Sequence, residues 1–158
     1  MTVKTARSVL LRLDLERFLP YRLNVVAEAV SQALSRLYGQ RYGIGVPEWR
    51  VLATLGQYRG MTAKQIGAHS RMHKTKVSRA VAGLEERGFL SREANPADMR
   101  EAFLALTPEG DRIYRDLVPE VMNFAAALTA DLTSQERQLF DNLLLRIGAT
   151  ARNLVGRS

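Results

Sequence analysis

The chain has 158 residues, no cysteine and a formal net charge of +7, with a pI of about 10.2. This length suits one domain or two small coupled ones, and the lack of cysteine excludes disulfides, thiolate metal sites and cysteine-based redox sensing. No run is long and apolar enough to cross a bilayer, so we expect a cytoplasmic protein. The charge indicates a polyanion as partner, either nucleic acid or an anionic membrane, unless it is only a solvated basic surface.

The excess positive charge is concentrated in one segment of the chain. Residues 57–84 contain no Asp or Glu. The cations of this segment are Arg59, Lys64, Arg71, Lys74, Lys76 and Arg79, a local charge of +6. A single basic surface is therefore expected.

The N-terminal third is predicted to be helical. Apolar residues recur at steps of three and four, which predicts a long helix over about residues 20–42, with Pro20 tolerated in its first turn. Gly43 suits the end of this helix. Pro47 and Glu48 then fit the first turn of a second helix, which is predicted to end near Gln57.

Two short helices in tandem are predicted next. The sequence Thr62-Ala63-Lys64-Gln65 matches the capping-box pattern and begins a helix that ends near Ser70. The following sequence, HKTKVSRAVAGL over residues 73–84, places Val77, Val81 and Leu84 on one face at about 100° per residue. Thr75 and Arg79 lie on the opposite face. Two such helices, of which the second exposes a basic front half, form the helix-turn-helix that enters a DNA major groove.

A β-hairpin is predicted after the second short helix. Residues 89–93 and 102–106 have the composition of strands, and residues 94–101 that of a loop. A hairpin in this place is the wing of a winged helix, and Arg100 near its tip is expected to enter a minor groove. Asp98 is expected to hold Arg100 or a neighbouring cation in an ion pair.

The C-terminal third predicts two more helices. Thr107-Pro108 begins one, with an apolar stripe from Ile113 to Leu128 and Pro119 as a candidate kink. Thr133 begins a final helix with a second capping box. The apolar stripes of these helices and of the first one serve either an intramolecular bundle or a two-fold dimer made by the first and last helices.

Residues 47–110 resemble the winged helix of the MarR (multiple-antibiotic-resistance regulator) family. The matching sequences are VPEWRVLATL, TAKQIGAHSRMHKTKVSRAVAGLEERGFLSRE, NPADMREAF and LTPEG. The resemblance implies a mainly α fold with a small β-hairpin wing, in which a winged helix-turn-helix joins a helical dimerisation region. It divides the chain into N-terminal dimerisation helices (1–44), a DNA-binding domain (45–107) and C-terminal dimerisation helices (108–158).

The resemblance also implies which residues contact DNA. The recognition-helix contacts fall on Lys74, Thr75, Lys76, Ser78 and Arg79, and the wing pair falls on Asp98 and Arg100. Of these, Lys76 and Arg79 have the donors that read guanine. We further expect Thr62, Lys64 and Arg71, placed at neighbouring helix starts, to contact the phosphate backbone. His73 and Met99 depart from the family pattern, because the family usually has an acidic or small polar cap and an arginine there.

The family further implies a homodimer that binds double-stranded DNA. It also implies a small-molecule effector, commonly an aromatic acid or a related anion, with a larger acid thioester as an equal alternative. Tyr38, Tyr42, Trp49 and Arg50 cluster in sequence where such an anion would stack and pair, although Trp49 also suits a core position. No cofactor is expected.

Neither an enzyme nor a metal protein is expected. The sequence has no phosphate-binding glycine loop and no nucleophile elbow, and His69 and His73 lack further ligands nearby, so both are expected to cap a helix or contact phosphate. The preferred function is a dimeric, ligand-responsive transcriptional regulator, and the resemblance implies that it acts as a repressor. Its alternatives are a sequence-independent architectural DNA binder and a winged helix used for protein contact.

Overall fold

The computed structural model describes residues 12–156, and the chain divides into two compact units between Val46 and Pro47. Within the described residues, no helix has the length and apolar character of a membrane span. The helices are α1 (Leu19–Tyr42), α2 (Val46–Tyr58), α3 (Ala63–Ser70), α4 (Lys74–Glu86), α5 (Pro108–Leu128) and α6 (Ser134–Val155). The strands are β1 (Met61–Thr62), β2 (Leu90–Glu93) and β3 (Phe103–Leu106).

The first unit is dominated by α1, which confirms the predicted long helix. A short 3-10 turn at Leu15–Arg17 precedes it, and Pro20 lies in its first turn, where no backbone donor is needed. The helix ends at Gly43, whose φ of 60° is left-handed, with the Gly43 N–H donating to the Gly39 carbonyl. The predicted N-terminal region also includes residues 1–11, which lie outside the described residues.

The core of the second unit is built from the apolar faces of its helices and from β3. Each of its central side chains is less than 2% exposed, which is the burial expected for a close-packed domain. They are Val51, Leu52 and Leu55 of α2, Ile66 of α3, Val77, Val81 and Leu84 of α4, Leu104 of β3, and Ile113 and Leu117 of α5. The helical periodicity seen in the sequence therefore identifies the buried faces correctly.

The sheet has three strands in the order β1-β3-β2, all antiparallel. The predicted hairpin is confirmed as β2 and β3. Each strand begins one residue later than the composition indicated. The sequence did not predict β1, where Met61 pairs with Leu104 and Thr62 with Phe103. A strand of two residues has no measurable alternation, so only its pairing partner reveals it.

The predicted caps of the later helices are also confirmed. Thr107 caps α5, and Thr133 forms a capping box with Glu136 at the start of α6. The α5 helix continues through Pro119 to Leu128, so the proline does not divide it. In contrast to α5, helix α6 has no buried residue in the described chain, although its sequence carries an apolar stripe.

Candidate nucleic-acid interface

The basic helix predicted from the sequence is α4, and its start is capped by His73. The Nδ1 atom of His73 accepts a hydrogen bond from the Thr75 N–H at 3.3 Å, which satisfies one of the free donors at the helix start. The expected role of His73 as a cap is confirmed. The imidazole nitrogen of His73 takes the place of the side-chain oxygen that usually accepts this hydrogen bond.

The two faces of α4 are divided as the sequence predicted. Its buried residues are Val77, Ala80, Val81 and Leu84. Its exposed front half carries Lys74, Thr75, Lys76, Ser78 and Arg79. Free backbone N–H groups and three cations thus share one end of one exposed helix, which is an arrangement suited to a polyanion.

The turn between α3 and α4 is held in a strained conformation at Arg71. This residue ends α3 with a φ of 55°, a left-handed value that favours glycine, and it is exposed. The next residue, Met72, is buried and its N–H donates to the Gly67 carbonyl at 3.1 Å. The prediction placed Arg71 at a helix start, which is wrong: its position is the end of α3, where the turn projects it to solvent.

Thr62 and Lys64 lie at the start of α3, as predicted. Thr62 is only 4% exposed, and its hydroxyl accepts from the Gln65 N–H at 3.2 Å while the Gln65 side chain accepts from the Thr62 N–H at 2.9 Å. The Thr62 hydroxyl therefore accepts the capping-box hydrogen bond, and the role of Thr62 as a phosphate contact stays a prediction. Lys64 is exposed and remains available to an anion.

Of the two roles predicted for His69, the helix cap is wrong and the phosphate contact stays a prediction. Its Nε2 atom lies 3.2 Å from the Tyr58 hydroxyl, and the two rings meet edge to face with centroids 4.8 Å apart. The residue joins the ends of α2 and α3 and caps no helix. Among residues 12–156, no three His, Asp or Glu side chains are grouped as metal ligands would be.

The wing loop is organised by two short side-chain turns. Asn95 is 9% exposed, and its Oδ1 accepts from the Ala97 N–H at 3.0 Å. Asp98 Oδ1 accepts from the backbone N–H of Arg100 at 2.9 Å, so the predicted ion pair with the guanidinium is corrected to a backbone contact. The Asp98 carboxylate shapes the loop, and Arg100 at its end is exposed. Met99 is 89% exposed at the tip.

An open groove of about 740 Å³ lies between α3, α4 and the wing. Its floor consists of apolar or small side chains. Its charged lining residues are the cations Lys64, Lys74, Arg92 and Arg100 and the acidic Glu101. Three of those cations were predicted as DNA contacts from the sequence. The fold therefore brings residues from three separate segments onto one surface.

Arg92 is the cation of this surface that the sequence prediction missed. Its Nε and Nη2 atoms donate to the two carboxylate oxygens of Glu85 at 2.6 and 2.9 Å. The hydrogen bond to Glu85 raises the pKa of the Arg92 guanidinium, and partial burial opposes it. The sequence signal that could have found Arg92 is the alternation of side chains along β2. Arg92 pairs across the strands with the buried Leu104, so the two side chains lie on the same face of the sheet.

The four residues predicted to bind an effector differ in their exposure. Tyr38 near the end of α1 is 1% exposed and Trp49 in α2 is 8% exposed, while Tyr42 is half-buried and Arg50 is exposed. The burial of Trp49 agrees with the core position that its residue type favours. Their role in binding an effector stays a prediction.

Known proteins similar to this chain are transcriptional regulators. Residues 44–102 match the MarR family. The chain is 26% identical over 127 residues to the HTH-type transcriptional regulator YwoH of Bacillus subtilis, covering 80% of this chain and 91% of YwoH. It is 26% identical over 133 residues to the HTH-type transcriptional repressor Rv2887 of Mycobacterium tuberculosis, covering 84% of this chain and 92% of Rv2887.

Solved structures agree with the sequence comparisons. A MarR family transcriptional regulator from Silicibacter pomeroyi is 28% identical, with a TM-score of 0.73 over 87% of this chain and 92% of that one. Sco3205, a MarR family regulator from Streptomyces coelicolor solved in complex with DNA, is 25% identical, with a TM-score of 0.75 over 89% of this chain and 90% of that one. With its basic front on α4, the chain carries a winged helix that matches the MarR family over residues 44–102, and it is similar to DNA-binding transcriptional regulators of that family.

Proposed function

We propose that the protein is a homodimeric repressor that reads a near-palindromic operator and releases it when a small anionic effector binds. The observation that carries the proposal is the front half of α4, where Lys74, Lys76 and Arg79 are exposed and Lys74 lines a groove that continues to Arg100 of the wing. The naming of Rv2887 as a repressor supports the direction of regulation. Because it acts on chromosomal DNA, the protein is proposed to work in the cytoplasm.

The exposed residues of α4 are assigned two kinds of contact. Lys76 and Arg79 donate to guanine N7 and O6, and Thr75 and Ser78 contact bases or phosphates. Lys74, Lys64 and Arg71 bind the phosphate backbone, which gives affinity and salt dependence but no sequence information. Arg100 enters the minor groove, and Asp98 fixes the loop that carries it.

The dimer is supported by apolar side chains that the chain leaves uncovered. In α6, Phe140, Leu143 and Leu144 are 48, 40 and 44% exposed, and in α1 Leu23 and Val26 are 38 and 60% exposed. A soluble monomer rarely leaves such continuous stripes in water. We assign residues 1–44 and 108–158 to dimerisation and residues 45–107 to DNA binding. A two-fold dimer would present its recognition helices about 34 Å apart, one turn of DNA.

Substitutions in α6 test the dimer. The stripe of Phe140, Leu143 and Leu144 is proposed to face the partner, so Leu144→Glu is expected to give a monomer in light scattering after gel filtration, because an unpaired charge would be buried. Leu145 is 72% exposed and lies off this stripe, so Leu145→Glu serves as the matched control and should remain a dimer. A wild-type monomer would contradict the assignment.

The effector is proposed to be an aromatic carboxylate or a related anion that contacts Tyr38, Tyr42, Trp49 and Arg50. The ring of such an anion stacks on aromatic side chains, and its carboxylate pairs with a guanidinium. Three aromatic residues and one arginine therefore suit an aromatic carboxylate. Release follows if the effector prefers a dimer whose recognition helices are wrongly spaced for DNA. Isothermal titration with salicylate as the probe, on wild type and Arg50→Ala, checks the assignment.

Fluorescence anisotropy tests the central proposal. The full chain is titrated against a duplex from the region upstream of its own coding sequence and against a scrambled duplex, each over a series of salt concentrations. A preference of about 10³-fold or more near physiological salt is expected for a sequence-reading regulator. Equal affinities that fall together with salt would indicate an architectural DNA binder, and no binding at moderate salt would indicate a winged helix used for protein contact.

A further inference from the structure

A two-point ion pair joins the end of the recognition helix to the wing. Glu85 lies in the last turn of α4 and Arg92 in β2, and the carboxylate accepts two hydrogen bonds from one guanidinium, at 2.6 and 2.9 Å. This two-point geometry fixes the relative orientation of both groups, which a single hydrogen bond does not. The Glu85 side chain is 26% exposed and that of Arg92 55% exposed.

Glu85 is unfavourable by simple electrostatics in the place where it lies. An acidic side chain in the last turn of a helix opposes the helix dipole, and a carboxylate near a DNA-binding surface repels phosphates. An exposed ion pair also contributes little to the free energy of unfolding. Neither stability nor charge attraction to DNA therefore accounts for the residue, and its contact with Arg92 needs another explanation.

Most of β2 is exposed and not buried against α4. Of the four residues of β2, only Leu90 at its base is buried, and Ser91, Arg92 and Glu93 are exposed. The strand is also at the edge of the sheet, so it is hydrogen-bonded on one side alone. Beyond Leu90, the ion pair of Arg92 with Glu85 joins β2 to α4.

Arg92 is held in the correct place to make this contact. In the antiparallel register it lies opposite Leu104, whose side chain is 1% exposed and belongs to the core. Cross-strand partners point to the same face of a sheet, so Arg92 extends from the face that covers the helices. It lines the same groove as Arg100, which lies further along the wing.

We propose that Glu85 is a positioning residue for DNA recognition. Through Arg92 it fixes the wing against α4, so that Arg100 reaches the minor groove at a set distance from Arg79 in the major groove. This inference rests on the proposed function, in which both arginines contact DNA. It assigns to an acidic residue a favourable effect on operator affinity, which is the opposite of what its charge alone predicts.

Two isosteric variants separate the proposal from simple electrostatics. Glu85→Gln and Glu86→Gln each remove one acidic charge from adjacent positions in the last turn of α4, so the net charge rises from +7 by the same amount in both. Glu86 is exposed and serves as the matched control. We expect Glu86→Gln to bind the operator as tightly as wild type or a few-fold more tightly, and Glu85→Gln to bind it about five- to tenfold more weakly.

A third variant keeps the charge and changes only the geometry. Arg92→Lys retains a cation but has no fork to engage both carboxylate oxygens, so it is expected to weaken operator binding in the same direction as Glu85→Gln. Thermal unfolding of all variants is expected to stay close to wild type, since the pair is exposed. Should Glu85→Gln fail to fold, Arg92→Lys carries the test alone.

A double-mutant cycle shows whether Glu85 acts through the wing. In an Arg100→Ala background the wing has lost its contact, so adding Glu85→Gln should have no further effect on operator affinity. A purely structural role would weaken binding equally in both backgrounds. Additive effects, or a Glu85→Gln variant that tightens binding as Glu86→Gln does, would overturn the inference. Failure of the proposed function is distinguishable, because wild type itself would then show no preference for the operator.

Discussion

Gly110 in the first turn of α5 packs directly against the backbone carbonyl of Phe89. A Cβ at this glycine would lie 2.1 Å from the Phe89 oxygen, and that oxygen already accepts from the Thr107 N–H at 3.1 Å. The carbonyl cannot retreat without breaking this hydrogen bond. Gly110→Ala is therefore expected to lower the free energy of unfolding by about 1 to 3 kcal/mol, measured by thermal and denaturant unfolding.

Gly83 provides the control for that substitution. It lies inside α4 with no atom within 4 Å of an added Cβ, so Gly83→Ala gains helix propensity without a clash. We expect it to stabilise the chain by about 0.5 to 1 kcal/mol. A Gly110→Ala variant as stable as wild type would show that the contact between α5 and Phe89 is looser than the structure has it.

Arg79→Ala is expected to weaken specific operator binding by about 1 to 3 kcal/mol and to relax the preference at one operator position. The guanidinium is exposed on the front half of α4, where it has access to base edges. The measurement is anisotropy with single-base operator variants. Arg115→Ala removes the same charge from α5, where Arg115 pairs with Asp111, and should leave base discrimination unchanged. Unaltered discrimination in Arg79→Ala would reject the assignment.

Arg71→Gly is expected to change stability and DNA affinity in opposite directions. Its φ of 55° is strained for arginine and relaxed for glycine, so the substitution should raise the free energy of unfolding by about 1 kcal/mol. Loss of a phosphate contact should reduce the slope of log affinity against log salt by about 1. Arg71→Lys keeps the charge and the strain and should resemble wild type in both measurements. An unchanged salt slope in Arg71→Gly would remove Arg71 from the interface.

Asp98 substitutions distinguish its backbone contact from an ion pair. Because its Oδ1 accepts from the Arg100 N–H, Asp98→Asn keeps the acceptor and removes a charge that repels phosphate. We expect Asp98→Asn to bind operator at least as tightly as wild type, and Asp98→Ala to bind more weakly because the loop loses its turn. Equal weakening by both variants would restore the ion pair as the essential contact.

Glu136 predicts a pH dependence of stability. Hydrogen bonds from the Thr133 backbone N–H and then the Thr133 hydroxyl lower the pKa of Glu136 below its usual 4.5. A carboxylate whose folded pKa is depressed stabilises the fold above its unfolded pKa and loses that contribution as pH falls through the folded pKa. Between about pH 5 and about pH 3, wild type should therefore lose more thermal stability than Glu136→Gln. Parallel melting curves for the two proteins would contradict this.

Much of the fold follows from local sequence, because helices carry their own signals. The capping sequences at Thr62, Thr107 and Thr133 are satisfied within four residues, and apolar spacing identifies the buried face of α4. Gly88, two residues after the end of α4, has a φ of 72°, a left-handed value that glycine adopts readily. These features depend on neighbours along the chain, so their chemistry is visible in the sequence.

The features that the sequence did not predict depend on pairing across space. β1 is defined only by its bonds to β3, some 40 residues later, and the ion pair of Glu85 and Arg92 requires the chain to reverse at Gly88. The misplacement of Arg71 has another cause: no residue type marks a left-handed arginine, since glycine or asparagine is expected there. The candidate interface was thus predicted in its residues and not in the contacts that hold them.

The central position of β3 has a consequence for the operator itself. β3 is hydrogen-bonded on one side to β1, whose last residue, Thr62, caps α3, and on the other side to β2 of the wing. The helix-turn-helix and the base of the wing therefore cannot change their separation without breaking strand pairs, whereas the angle of the wing over α4 is left to the contact of Glu85 with Arg92. If both contact DNA as proposed, the protein sets the number of base pairs between the major-groove and minor-groove parts of each half-site. A one-base-pair insertion in this spacer should then weaken operator binding. Many base changes within the same spacer should leave operator binding unchanged.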